Sequence, residues 1–167
     1  MITKKTFNTH VWTRPRSNIT LDQGETYTKT KAVILAISRE KGMESIMVFE
    51  KSINKQKFRI FLEEIRSANP YEDVMLMMDN LSLHKSRDTR NRMDELNFHY
   101  VYTPVYSPQY NGIEEVISMG KRLIKNRRLE KILSYEGPGL TQIIMDSFNE
   151  LEPHYIAKCM ARSLELL

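Results

Sequence analysis

A single cysteine, Cys159, excludes an internal disulfide framework and any cysteine-based zinc site, and it suits a reducing compartment. Redox chemistry is not expected. Long apolar runs are also lacking: the longest, around Val33 to Ile37 and Val74 to Met78, are strand-sized, well short of the roughly 18 to 20 residues a membrane-spanning helix needs. No membrane span is expected. Acidic residues are missing from the first 21 positions, which hold Lys4, Lys5, Arg14 and Arg16. An acid-free basic start is a feature of mitochondrial transit peptides, although Pro15 and the β-branched, Thr-rich spacing oppose the amphipathic helix such a peptide forms. No repeat, low-complexity tract or linker interrupts the 167 residues, which read as one domain, with a helical C-terminal extension over residues 132–167.

What is present is the balance of a globular protein, with 41% hydrophobic and 28% charged residues. The net charge of +4 favours an anionic partner without approaching a histone-like excess. Its placement is more informative than its size. Lys121, Arg122, Lys125, Arg127, Arg128 and Lys131 fall within eleven residues, interrupted by one acid, Glu130. That stretch is either a phosphate-contacting surface or a solvated helix face.

Segment types alternate along the chain. Lys31 to Arg39 and Ser45 to Glu50 are rich in Val and Ile and read as a hairpin turning at Lys41-Gly42. Asn54 caps a helix over Lys55 to Ala68, in which Phe58, Phe61, Leu62 and Ile65 recur at helical spacing, and Asn69-Pro70 stops it. Asp73 to Met78 is continuously apolar after its first residue, the pattern of a central strand covered on both faces. Ser86 caps a helix to about Leu96, Phe98 to Thr103 forms the next strand, and Pro104 and Pro108 impose a loop. A long helix from Gly112 to about Lys131 follows, and Pro138-Gly139 separates it from helices over Thr141 to Leu151 and Pro153 to Leu166. A hairpin followed by strand-helix alternation predicts an α/β fold: a mixed sheet with helices on its faces.

Two carboxylates stand out in that frame. Asp79 follows the apolar strand at its C-terminal end, where open α/β sheets collect functional groups. Glu114 opens the long helix after the Pro-rich loop, so the chain can bring it back beside Asp79. Hard divalent cations prefer carboxylate oxygens, and a two-metal phosphoryl-transfer site needs several of them. Each residue also has an ordinary reading, Asp79 as a turn residue and Glu114 as complement to the helix dipole.

The segment MMDNLSLHKS, Met77 to Ser86, resembles the stretch after the second catalytic Asp of mariner-type DDE transposases. TPVYSPQYNGIEEV, Thr103 to Val116, resembles their PPYSP-x-x-NPIE segment around the third carboxylate, and thirty-four residues separate Asp79 from Glu114, as in one large branch of that superfamily. Weaker likeness runs through FEKSINKQKFRIFLEEI, the ISREKG turn and Trp12, covering most of residues 1–131. The resemblance implies a ribonuclease H-like fold, Asp79 and Glu114 as catalytic metal ligands for Mg or Mn, and Asn80 and His84 as support for the site or the DNA. Gly112 stands where the family usually has the Pro of NPIE, and Val105 replaces the second Pro of PPYSP. Both changes are expected to alter loop stiffness more than chemistry.

A larger departure lies upstream. The family's first catalytic Asp ends the first strand of the domain, and no carboxylate precedes Asp22 here; Asp22 and Glu25 read as part of a turn around Gly24. The resemblance therefore implies a domain truncated at its N-terminus, with its first strand incomplete, without the helix-turn-helix region that reads transposon ends, and with no bound metal if the first Asp is truly absent. The expected function is a transposase-derived, non-catalytic subunit of a larger assembly whose other proteins cover the N-terminal edge. Alternatives are a metal-dependent DNA endonuclease or strand transferase completed by another chain, and a DNA-binding module using Lys121, Arg122, Lys125, Arg127 and Arg128. A DNA-acting role implies the nucleus, with mitochondria as the competing location.

Overall fold

Hydrophobic periodicity and caps predict most of the observed elements. The computed structural model of the chain describes residues 30–105, 107–134 and 139–165. The expectations for Ile2 to Trp12, Asp22 and Glu25 lie outside the described residues. Strands β1 (Ala32–Ser38) and β2 (Gly42–Phe49) form the antiparallel hairpin, with a register shift between Ala36 and Ile37. Gly42 closes its turn at a φ of 79°, left-handed backbone that a side chain disfavours. Helix α1 (Lys55–Ala68) begins at Asn54, whose Oδ1 accepts from the Lys57 amide at 3.0 Å. Then come β3 (Met75–Met78), α2 (Arg87–Glu95), β4 (His99–Tyr102), a single 3-10 turn (Pro108–Tyr110), and helices α3 (Ile113–Ser134), α4 (Leu140–Asn149) and α5 (Pro153–Leu164).

The mixed α/β architecture is as expected, but its sheet is in two pieces among the described residues. β1 pairs with β2 antiparallel, and β3 pairs with β4 in parallel, Met75 opposite His99 through Met78 opposite Tyr102. Helix α1 spans the division. Its Phe58, Phe61, Leu62 and Ile65 form one core with Met93 and Phe98, and against that core pack Ile34, Ala36 and Met47 of the hairpin together with Leu76, Met78 and Tyr100. Burying each large apolar side chain of this kind contributes about 1.5 to 3 kcal/mol.

The second core covers the other face of the hairpin. Leu35 of β1 and Val116 and Ile124 of α3 are buried with Ile143, Ile144, Phe148, Leu151, Ile156 and Cys159, so residues beyond 140 supply six of the nine buried members. No residue of β3 or β4 belongs to it. The expectation that the apolar run ending at Met78 is covered on both faces is therefore corrected. Met75 is 66% exposed and Met77 42% exposed, because α1 and α2 cover one face of β3 while α3 packs on the C-terminal helices, which in turn cover the hairpin.

Candidate functional site

β3 delivers Asp79 to the end of the parallel pair, and the turn after it folds back on that carboxylate. Asp79 Oδ1 accepts from the Leu81 amide at 3.2 Å and lies 2.8 Å from Nδ1 of His84. The Asn80 side chain donates to the Thr103 carbonyl, and the Thr103 amide donates to the Met78 carbonyl at 2.8 Å, continuing the β3–β4 ladder past Asp79. Asp79 and His84 are thus brought together, while the Asn80 side chain ties the turn to β4. Among the described residues Oδ2 of Asp79 takes no hydrogen bond, and the side chain is 44% exposed.

Two residues that sequence reasoning missed hold His84 in place. Phe58 of α1 stacks at 4.9 Å from the imidazole centroid, tilted by 33°. Tyr102 of β4 donates its hydroxyl to the His84 carbonyl at 3.1 Å, and burial raises the pKa of that phenol, keeping it a donor. Neither carries a local signal. Phe58 belongs to the apolar stripe of α1 and Tyr102 to an aromatic strand, and folding alone makes them neighbours of residue 84.

Glu114 sits exposed in the first turn of α3, its amide donating to the Asn111 carbonyl at 3.0 Å, with no hydrogen bond or ion pair to Asp79 or His84. Gly112, immediately before α3, lies against α5. A Cβ built there would stand 2.7 Å from the Cys159 carbonyl oxygen and 3.0 Å from Ser163 Oγ. The missing Pro therefore reflects helix packing as well as loop stiffness. Gly112→Pro, which restores the family's usual residue, is expected to lower the unfolding free energy by about 1 to 3 kcal/mol, the range for overpacking. A urea melt with an unchanged midpoint would contradict that.

The basic stretch on α3 does not share one surface. Lys121 and Arg122 are exposed, Lys125 is half-buried, and Arg127 pairs with Glu150 of the turn after α4. Arg128 corrects the expectation of a phosphate contact. It is only 4% exposed, and burial lowers its guanidinium pKa. The reason is periodicity: Val116, Gly120, Ile124 and Arg128 recur every four residues, and all four face inward.

Among the described residues no group of three acidic, His or Cys side chains gathers as a metal site, and no helix is long and apolar enough to cross a membrane. The family model for DDE superfamily endonucleases matches residues 2–134, and the chain belongs to that family. No curated protein matches it. Among solved structures, the Mos1 strand transfer complex aligns with a TM-score of 0.56 at 16% identity, over 97% of this chain and 52% of that one. The Mos1 mariner paired-end complex with Mn gives 0.54 at 14%, over 97% and 53% respectively. A pre-cleavage Mos1 transpososome gives 0.51 at 16%, over 92% and 50%. At these identities the likeness is one of fold, the ribonuclease H-like fold of the mariner transposase, and the chain spans about half the length of those transposase chains.

Proposed function

We propose that this chain is a transposase-derived DDE domain that presents Asp79 and Glu114 to DNA, and that alone it is a non-catalytic part of a larger assembly. The observation that carries this reading is the Asp79 carboxylate. It stands at the C-terminal end of β3 with Oδ1 fixed by His84 at 2.8 Å and Oδ2 left open, the posture of a metal ligand. Manganese in one Mos1 paired-end complex and the left transposon end in another support the choice of ion and substrate. Lys121, exposed and two helical turns beyond Glu114 on the same face, supports a nearby phosphate backbone.

The donor set does not fit a complete metal centre. Two carboxylates cannot hold two divalent ions in the geometry of in-line displacement, so a third must come from outside the described residues. The bare apolar face with Met75, Met77 and Val101 supports a protein partner over β3 and β4. A DNA-acting role implies the nucleus, with mitochondria as the competing location; mitochondrial signal from a tagged chain would decide for the latter.

Plasmid cleavage and strand-joining assays with Mg or Mn test the reading. The purified chain is expected to leave DNA intact, and Asp79→Asn is expected to weaken manganese binding about tenfold or more by calorimetry, since losing a ligand should cost at least as much as losing an outer-shell partner. Robust cleavage that Asp79→Asn abolishes would replace this reading with a metal-dependent endonuclease or strand transferase completed by another copy or chain.

A further inference from the structure

The basic run on α3 is evident in the sequence, but folding assembles a second basic surface from positions 33 apart in the chain. The N-termini of α1 and α2 lie side by side, joined by Lys55 Nζ and Asp88 Oδ2 at 3.0 Å. Arg59, one turn along α1, and Arg87 at the start of α2 flank the same carboxylate. Its pKa is lowered first by the Lys55 hydrogen bond and further by Arg59 and Arg87. Lys85 Nζ stands 5.2 Å over the Tyr102 ring, and Arg90 lies near the same phenol. Tyr102 in turn holds the His84 carbonyl, and His84 holds Asp79.

Lys55, Arg59, Lys85, Arg87 and Arg90 are all exposed, five cations with Asp88 among them and Asp94, which acts on the same Tyr102 phenol, one turn beyond Arg90. Arg59, Arg87 and Arg90 enter no ion pair among the described residues, whereas the nearby acids Glu63 and Glu95 are both taken by Arg92. A surface kept merely soluble mixes its signs. Here one sign dominates beside a candidate reaction centre, and two helix N-termini add partial positive charge to it.

We propose that this rim, Lys55, Arg59, Lys85, Arg87 and Arg90, binds the phosphate backbone of duplex DNA and leads it to Asp79. The inference rests on the DNA-acting role proposed above and adds the surface that executes it. Each phosphate the rim neutralises releases a counterion.

Fluorescence anisotropy of the full chain with a 30-base-pair duplex, titrated between roughly 50 and 200 mM KCl, tests it. Three proteins are compared: the unsubstituted chain, Lys85→Ala/Arg87→Ala/Arg90→Ala, and Lys121→Ala/Arg122→Ala. The rim variant is expected to bind about tenfold or more weakly at 100 mM salt, with the slope of log K against log salt reduced by about 2 to 3. Circular dichroism should match the unsubstituted chain; if it does not, Arg87→Gln alone, expected to reduce the slope by about 1, carries the test. Unchanged affinity and slope in the rim variant would overturn the rim while leaving the DNA-acting role intact. Absence of salt-dependent binding by the unsubstituted chain would overturn both.

Discussion

Replacing Phe148 with alanine will lower the unfolding free energy by about 3 to 5 kcal/mol, the scale of emptying a buried aromatic site. Phe148 is 1% exposed and sits between α4 and α3 in the core that covers the hairpin. Its ring lies against the backbone of α3 at Gly120, where a built Cβ would stand 2.3 Å from Cε1. No real Cβ tolerates that approach, so Gly120→Ala must push ring or helix aside, at a cost of about 1 to 3 kcal/mol. The two losses share one space. In the double variant Phe148→Ala/Gly120→Ala the new methyl has no ring to meet and fills part of the cavity. The combined loss should fall short of the sum by about 1 kcal/mol or more. Urea denaturation of the four proteins, followed by circular dichroism, measures the cycle. Strict additivity would mean that α4 does not dock on α3 through this contact.

The same contact shows which parts of the fold were legible in the sequence. Helix α1 was legible because its signals are local: an Asn54 cap, an apolar stripe at helical spacing and a Pro70 stop. The hairpin was legible from its β-branched strands around Gly42. The run ending at Met78 was misread in burial though not in conformation. Apolar character reports what a strand prefers, and cannot report whether a helix arrives to cover its second face. Arg128 was misread for a different reason. Counting charge along the sequence hides the four-residue spacing from Val116 that turns this guanidinium inward, a pattern that was available to find. At the site, Asp79, Asn80 and His84 were legible as family positions because all three lie within the six residues that follow β3. Phe58 and Tyr102 were not, since each meets His84 through tertiary contact.

Fusing an apolar strand that ends in Asp-Glu ahead of residue 1 will raise manganese affinity about tenfold or more and introduce DNA cleavage that Asp79→Asn abolishes. The physical motive is the division of the sheet. Among the described residues β1 pairs only with β2, and β3 only with β4, while Ile34 and Ala36 of β1 and Leu76 and Met78 of β3 pack on one core under α1. A strand added beside β3 and parallel to it would bury its own apolar face against that core. Neighbouring strands lie about 4.8 Å apart. A carboxylate at the end of such a strand would therefore stand beside Asp79 at a separation suited to ions about 4 Å apart. A control strand ending in Asn-Gln separates the two contributions: it should raise the melting temperature by pairing alone, while leaving manganese affinity and cleavage unchanged. Equal melting gains from both strands, with no metal binding from either, would show that the sheet accepts a strand but that Asp79 is no longer a ligand. No gain from either would mean that β1 and β3 are already closed by the chain's own residues, and the domain would then lose its physical reason to depend on an assembly.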